Sequence, residues 1–253
     1  TYEDLDAPAD IDNGRYTGVR TGAAWEMPLK MREPGNWEFT DESAYALSSA
    51  DGMLETTLAY QGFEGRAADT WSFTGANVST NAGGGDSPGF QRICNGTNSH
   101  QTVNAAHTLT FDPVNISQSY SDVKVVAHVS STSGASGNGA DGGDYVKLYV
   151  ATNGLGFPTE PTITLTGNSN AKWGFSETGV STIAGTSVVT APGGGGNRED
   201  DGDGYSALEV RIPKGVTSAA LKLELANDSD NERWNIDDVY LSGHIPRGTA
   251  FCF

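Results

Sequence analysis

From about residue 59 the chain alternates apolar and polar positions with a period of two, the spacing that sends successive side chains to opposite faces of a strand. In 107–116 (HTLTFDPVNI), Leu109 and Phe111 alternate with polar neighbours. The stretch 122–130 (DVKVVAHVS) is a β-branched run through Val123, Val125 and Val129, and 144–152 sets Val146, Leu148 and Val150 against Tyr145, Lys147 and Tyr149. Further strands are predicted at 162–167, 205–213, 219–227 and 235–243, each bounded by Gly, Pro, Asn or Asp. Glycine-rich turns, GASGNGADGG and APGGGGNREDDGDG, lie between them. Many short strands without intervening helices predict an all-β chain, an antiparallel β-sandwich over residues 59–245.

Residues 1–58 keep no such period. They are rich in carboxylates, carry Trp25 and Trp37, and read as an extended arm with a short helix over 41–50 (DESAYALSSA). The two tryptophans read as anchors that pin the arm down. Residues 246–253 form a tail.

Composition sharpens this picture. Glycine is 33 of 253 residues, roughly twice the usual ~7%. Only 36% of the chain is apolar and 19% charged, which suits polar turns between strands better than a helical bundle. Fifteen basic against 32 acidic side chains give a net charge of −17. Phosphate backbones are held by Lys and Arg clusters, so nucleic acid is excluded as a partner of the bulk surface. Membrane insertion is not expected either, because no run of 18 apolar residues occurs. The opening TYEDLDAPAD reads as a processed start or a domain excerpt. Cys94 and Cys252 belong to no CxxC or Cys/His cluster. Two buried thiols are one reading. A disulfide tying the tail to the body is the favoured one, and in the chain-entropy model so long a loop contributes roughly 4–5 kcal/mol. A bridge implies an extracellular or cell-surface setting.

The chemistry-bearing residues sit near the two ends of the predicted sandwich. GFEG holds Phe63 and Glu64, Trp71 follows, and WNIDDVYLSG holds Asp237 and Asp238. An FE opening, a following tryptophan and a closing DDV strand resemble jelly-roll modules such as MAM-type domains and carbohydrate-binding modules. The stretches GNGADGGDYVKLYV, LTGNSNAKWGF, DGYSALEVRIP and NDSDNERWNIDDV are similar to accessory modules of secreted bacterial, Bacteroidetes-type proteins. The likeness spans roughly residues 60–243. It implies adjacent first and last strands and a structural calcium held by Glu64 with Asp237 or Asp238. Asp237 shares a strand face with Val239 and Leu241, so its carboxylate is expected on the core side and in need of a partner.

Other acidic loops are weaker cation candidates: 197–204 (NREDDGDG) with Asp201 and Asp203, 137–144 with Asp141 and Asp144, and 4–14. With Gly202 at position 6 of an EF-hand loop, position 12 is Leu208, so that pattern fails. His100, His107, His128 and His244 are scattered, and no HExxH or GxSxG occurs. His128 is expected at the rim, opposite Val125 and Val129. Trp173, after the turn-like GNSNA, is the candidate platform for a sugar ring.

Three functions are weighed. The first is a non-catalytic extracellular, calcium-stabilised module for adhesion to a surface or a glycan. The second is a subunit of a filament or matrix that self-associates by adding its N-terminal arm to a neighbour's sheet. The third is a glycoside-active enzyme, for which no constellation speaks.

Overall fold

The computed structural model describes residues 53–75, 79–82, 93–133, 139–172, 181–184, 187–190 and 205–246, with five short strands nearer the N-terminus. It is all-β, with no helix among the described residues. The chain divides into two compact units. One comprises residues 1–56, 119–121 and 244–253, and the other residues 57–118 and 122–243.

In the first unit, β1 (Val19–Thr21), β2 (Ala24–Glu26) and β5 (Ala46–Leu47) form a small sheet. Strands β3 (Lys30–Met31) and β4 (Trp37–Glu38) pair separately. Ala46 and Leu47 are thus strand, paired with Glu26 and Trp25, where a helix over 41–50 is expected. Tertiary pairing overrides a weak local helix signal there.

The remaining strands are β6 (Met53–Gln61), β7 (Phe73–Gly75), β8 (Ser79–Ala82), β9 (Asn98–Val103), β10 (Ala106–Phe111), β11 (Val114–Asn115) and β12 (Ser121–Ser133). They continue with β13 (Tyr145–Thr152), β14 (Ile163–Thr166), β15 (Ser181–Ala184), β16 (Ser187–Thr190), β17 (Tyr205–Arg211), β18 (Ser218–Ala226) and β19 (Glu232–Pro246). One seven-stranded sheet runs β16-β14-β13-β18-β10-β7, with β11 also on β18. The other runs β15-β17-β12-β19-β9-β8, with β6 also on β19. Pairing is parallel at β14–β16 and β15–β17, and antiparallel at β10–β18, β13–β18, β12–β17, β9–β19 and β8–β9 among others. The expected boundary at 58/59 falls inside β6.

The core follows from the alternation. Leu109, Leu223 and Leu148 lie side by side across β10, β18 and β13, all fully buried. Val125, Val129, Trp234, Ile236, Val239 and Leu241 are buried in the second sheet. An aromatic group closes one side: Trp71 packs on Phe111 at 5.0 Å and Phe73 on Phe111 at 5.3 Å. Its indole N–H donates to the Asp112 carbonyl. The predicted strand 107–116 breaks at Asp112–Pro113, where proline has no N–H for the ladder.

Candidate functional site

The first and last strands of the sandwich, β6 and β19, pair as the resemblance implies. Glu64 lies just beyond β6, and Asp237 and Asp238 lie within β19. Asp237 is fully buried beside Val239 and Leu241, and Asp238 is half-buried with φ +42°. Glu64 and Asp237 grip the same loop, through N–H donors. Glu64 Oε1 accepts from the amides of Thr97 and Asn98, and Oε2 accepts from Thr97 Oγ1 and Asn98 Nδ2, with Arg66 at 3.3 Å. Asp237 Oδ2 accepts from the amides of Cys94 and Asn95, and Oδ1 from the amide of Asp238. Burial opposes ionisation of Glu64, but these donors outweigh it and hold the carboxyl below its ordinary range. Burial pushes Asp237 up to about 7, with Asp238 adding to the rise and the three amides opposing it.

A shared calcium would need oxygen ligands where this loop presents N–H groups, and Glu64 has no free lone pair. The residues therefore do not fit the expected calcium in this arrangement. They act as anchors of the loop 94–98. Gly96 sits at its apex with φ +82°, and a side chain there would collide with the Glu64 carboxylate.

Beside this loop, Cys94, His128 and Asp238 each offer a donor atom, all within 4.8 Å of one another. His128, on β12 between β17 and β19, is half-buried, and its Nδ1 contacts the Asp238 carbonyl at 3.1 Å. The Asp238 carboxylate accepts from the Tyr60 hydroxyl. Burial and that carboxylate push the Tyr60 hydroxyl up.

A second acidic group forms where two turns meet. Asp141 and Asp144 come from the turn before β13, Asp228 from the turn between β18 and β19, and Glu232 from the first position of β19. Asp141, Asp144 and Glu232 each place a carboxylate oxygen within 4.8 Å of the others. Gly143 lies between Asp141 and Asp228: a methyl on it would lie 3.6 Å from Asp141 Oδ1 and from Asp228 Oδ2. Asp144 and Glu232 are 1% and 5% exposed. Burial, with Asp141 and Asp228 adding like charge, pushes Asp144 up to about 6 against amides that oppose the rise. Burial, then Asp144, Asp141 and Asp228, push Glu232 up to about 7. The sequence singles out Asp141 and Asp144 but carries no signal for Asp228 and Glu232, which only the fold brings to them.

The outer face of the first sheet carries a different chemistry. Register pairs Lys147 with Glu224 and Tyr149 with Lys222, while Val146, Leu148, Leu223 and Leu225 between them point to the core. Lys147 Nζ lies 4.1 Å from the centre of the Tyr145 ring, and Lys222 Nζ lies 3.9 Å from that of Tyr149. Phe157, from the β13–β14 loop, lies 5.7 Å from the same ammonium. The Tyr149 hydroxyl donates to Glu224 Oε2, and Lys222 donates to Glu224 Oε1. Burial opposes ionisation of Glu224, but these two donors and the Lys147 charge hold it below its ordinary range. Burial first, then Glu224, push Tyr149 up to about 12. The alternation in 144–152 shows this face but not that Tyr149 on it is buried.

Trp173, Asp201, Asp203 and Cys252 lie outside the described residues. So do 4–14, most of the expected arm and the partner half of the expected disulfide. Among the described residues no disulfide occurs, and Cys94 is half-buried.

The fold and these sites define the class as an antiparallel all-β sandwich with acidic loop clusters. No known protein family and no curated protein matches the chain. Among solved structures, the K3 cleaved adhesin domain of Lys-gingipain from Porphyromonas gingivalis w83 is 11% identical with a TM-score of 0.37, over 75% of this chain and 99% of that domain. An exo-β-1,3-galactanase from Phanerochaete chrysosporium is 13% identical with a TM-score of 0.25, over 86% of this chain and 36% of that enzyme. Likenesses this distant carry no argument about activity. Among the described residues, no helix is long and apolar enough to cross a membrane.

Proposed function

We propose that the chain is a non-catalytic extracellular β-sandwich module, stabilised by calcium, that binds a glycan or another cell-surface polymer. The observation that carries the reading is the strip on the outer face of the first sheet, where the half-buried rings of Tyr145 and Phe157 stand among Lys147, Lys222 and Glu224. Sugar rings stack their C–H faces on aromatic carbons, and fixed charged groups beside the ring bond the hydroxyls and set orientation. Glu224 is held rigidly by two donors, so it keeps its geometry without a ligand. An acidic, glycine-rich chain suits a compartment in which calcium is abundant.

A glycan array followed by calorimetry on the full chain tests this. Tyr145→Ala and Phe157→Ala are expected to weaken binding about tenfold with little change in melting temperature. An array and polysaccharide panel without a hit at millimolar affinity would sink the polymer reading.

A further inference from the structure

We propose that Asp141, Asp144, Asp228 and Glu232 bind one calcium ion that clamps the turn before β13 to the turn between β18 and β19. The proposal gives a place to the calcium part of the reading above and stands apart from its polymer part.

The argument begins with two unpartnered oxygens. Asp144 Oδ1 and Glu232 Oε2 are buried and meet no hydrogen-bond donor. A buried carboxylate oxygen left unpaired is costly, and proteins pair such groups or give them to a metal. The other oxygens show what ordinary satisfaction looks like here: Asp144 Oδ2 accepts from the Asp141 amide, and Asp141 Oδ1 accepts from the Gly143 amide. The orphaned pair instead faces further carboxylates, those of Asp141 and Asp228.

Both turns are held in place by other means. The Asp144 amide donates to the Asp141 carbonyl, and the Gly167 amide to the Asp144 carbonyl. Gly167 packs so closely on the Asp141 backbone that no side chain fits there. Across the site, Asn227 Nδ2 donates to the carbonyls of Thr102 and Glu232, and Asn104 Nδ2 donates to Asp230. The four carboxylates are therefore presented by a scaffold that does not depend on their attraction for one another. Their mutual repulsion is what a cation would relieve.

The donors are all hard oxygens, without sulfur or nitrogen, which selects calcium or magnesium over zinc. Carboxylates that chelate in either one- or two-oxygen mode from two turns suit the six to eight ligands of calcium better than the strict octahedron of magnesium.

The test uses the full chain, stripped with EDTA. Terbium is the first probe. Trp234 donates its indole N–H to the Ala226 carbonyl, close in sequence to both Asp228 and Glu232, so its excitation is expected to sensitise bound terbium. Calcium should displace the terbium, and calorimetry should give a dissociation constant no weaker than about 1 mM, as for extracellular modules. Asp144→Asn and Glu232→Gln should each weaken calcium binding by about tenfold or more and lose most of its thermal shift. In EDTA both should melt at or above the unaltered protein, because each amide removes a like charge from the cluster. Glu64→Gln should keep the calcium response. Should either buried variant misfold by circular dichroism, Asp228→Asn, at an exposed position, carries the same expectation. An unchanged calcium response in the cluster variants, its loss in Glu64→Gln, or no binding up to about 10 mM calcium would overturn the proposal. None of these results bears on the glycan array, so the two readings fail separately.

Discussion

Two histidines that the sequence leaves scattered meet inside the sandwich. His100 Nε2 lies 3.2 Å from His107 Nδ1, which also contacts Thr102 Oγ1, and the Phe63 ring lies 6.0 Å from that of His100. Burial, then the neighbouring His107, push His100 down to about 3, and burial lowers His107. An unfolded histidine takes its proton near pH 6.5. Between there and about pH 3 the unfolded chain binds more protons than the folded one, so stability is lost as pH falls through that window. Each such histidine contributes up to about 1.4 kcal/mol per pH unit. His100→Gln should flatten the acid limb of a melting-temperature profile from pH 7 to pH 4, and an unchanged slope would remove the pair as its cause. The loop under Glu64 makes a second expectation at this scale. Gly96→Ala places a side chain at φ +82° and against the Glu64 carboxylate, and should cost about 1–3 kcal/mol by urea unfolding.

At the scale of elements, the central strand β18 bears most on stability, since β13 and β10 both pair with it. Leu223→Ala in its middle should cost about 2–5 kcal/mol, whereas Leu155→Ala in the β13–β14 loop, 71% exposed, should change stability by no more than about 0.5 kcal/mol. Denaturant midpoints of the two variants should separate accordingly. Strands such as 122–130, 144–152 and 219–227 were legible because one face is apolar. Strand β9 (NSHQTV) was not, since it is almost wholly buried yet polar. Its burial is supported from other strands: Gln101 donates to Asn235, and Asn235 donates to Ser130 and Thr132. Such a network has no periodic signature in one segment. The acidic cluster was half legible for the same reason, with DGGD visible as a turn and Glu232 hidden at the start of an apolar strand.

For the whole molecule, a net charge of −17 leaves the chain repelling itself. In EDTA, raising sodium chloride from about 0.05 to 0.5 M should raise the melting temperature by screening that repulsion. A fall instead would show that attractive ion pairs such as Lys222–Glu224 outweigh it.

The pairing of β6 with β19 has a consequence for the order of events during synthesis. The sheet that holds both cannot be completed until its last strand has left the ribosome. Until then β6, β9 and β12 lack the partner they share. Such far-flung closure belongs to slow folders, with times of milliseconds to seconds. A chain that closes late keeps the edges of β6, β9 and β12 available for wrong pairing until β19 arrives.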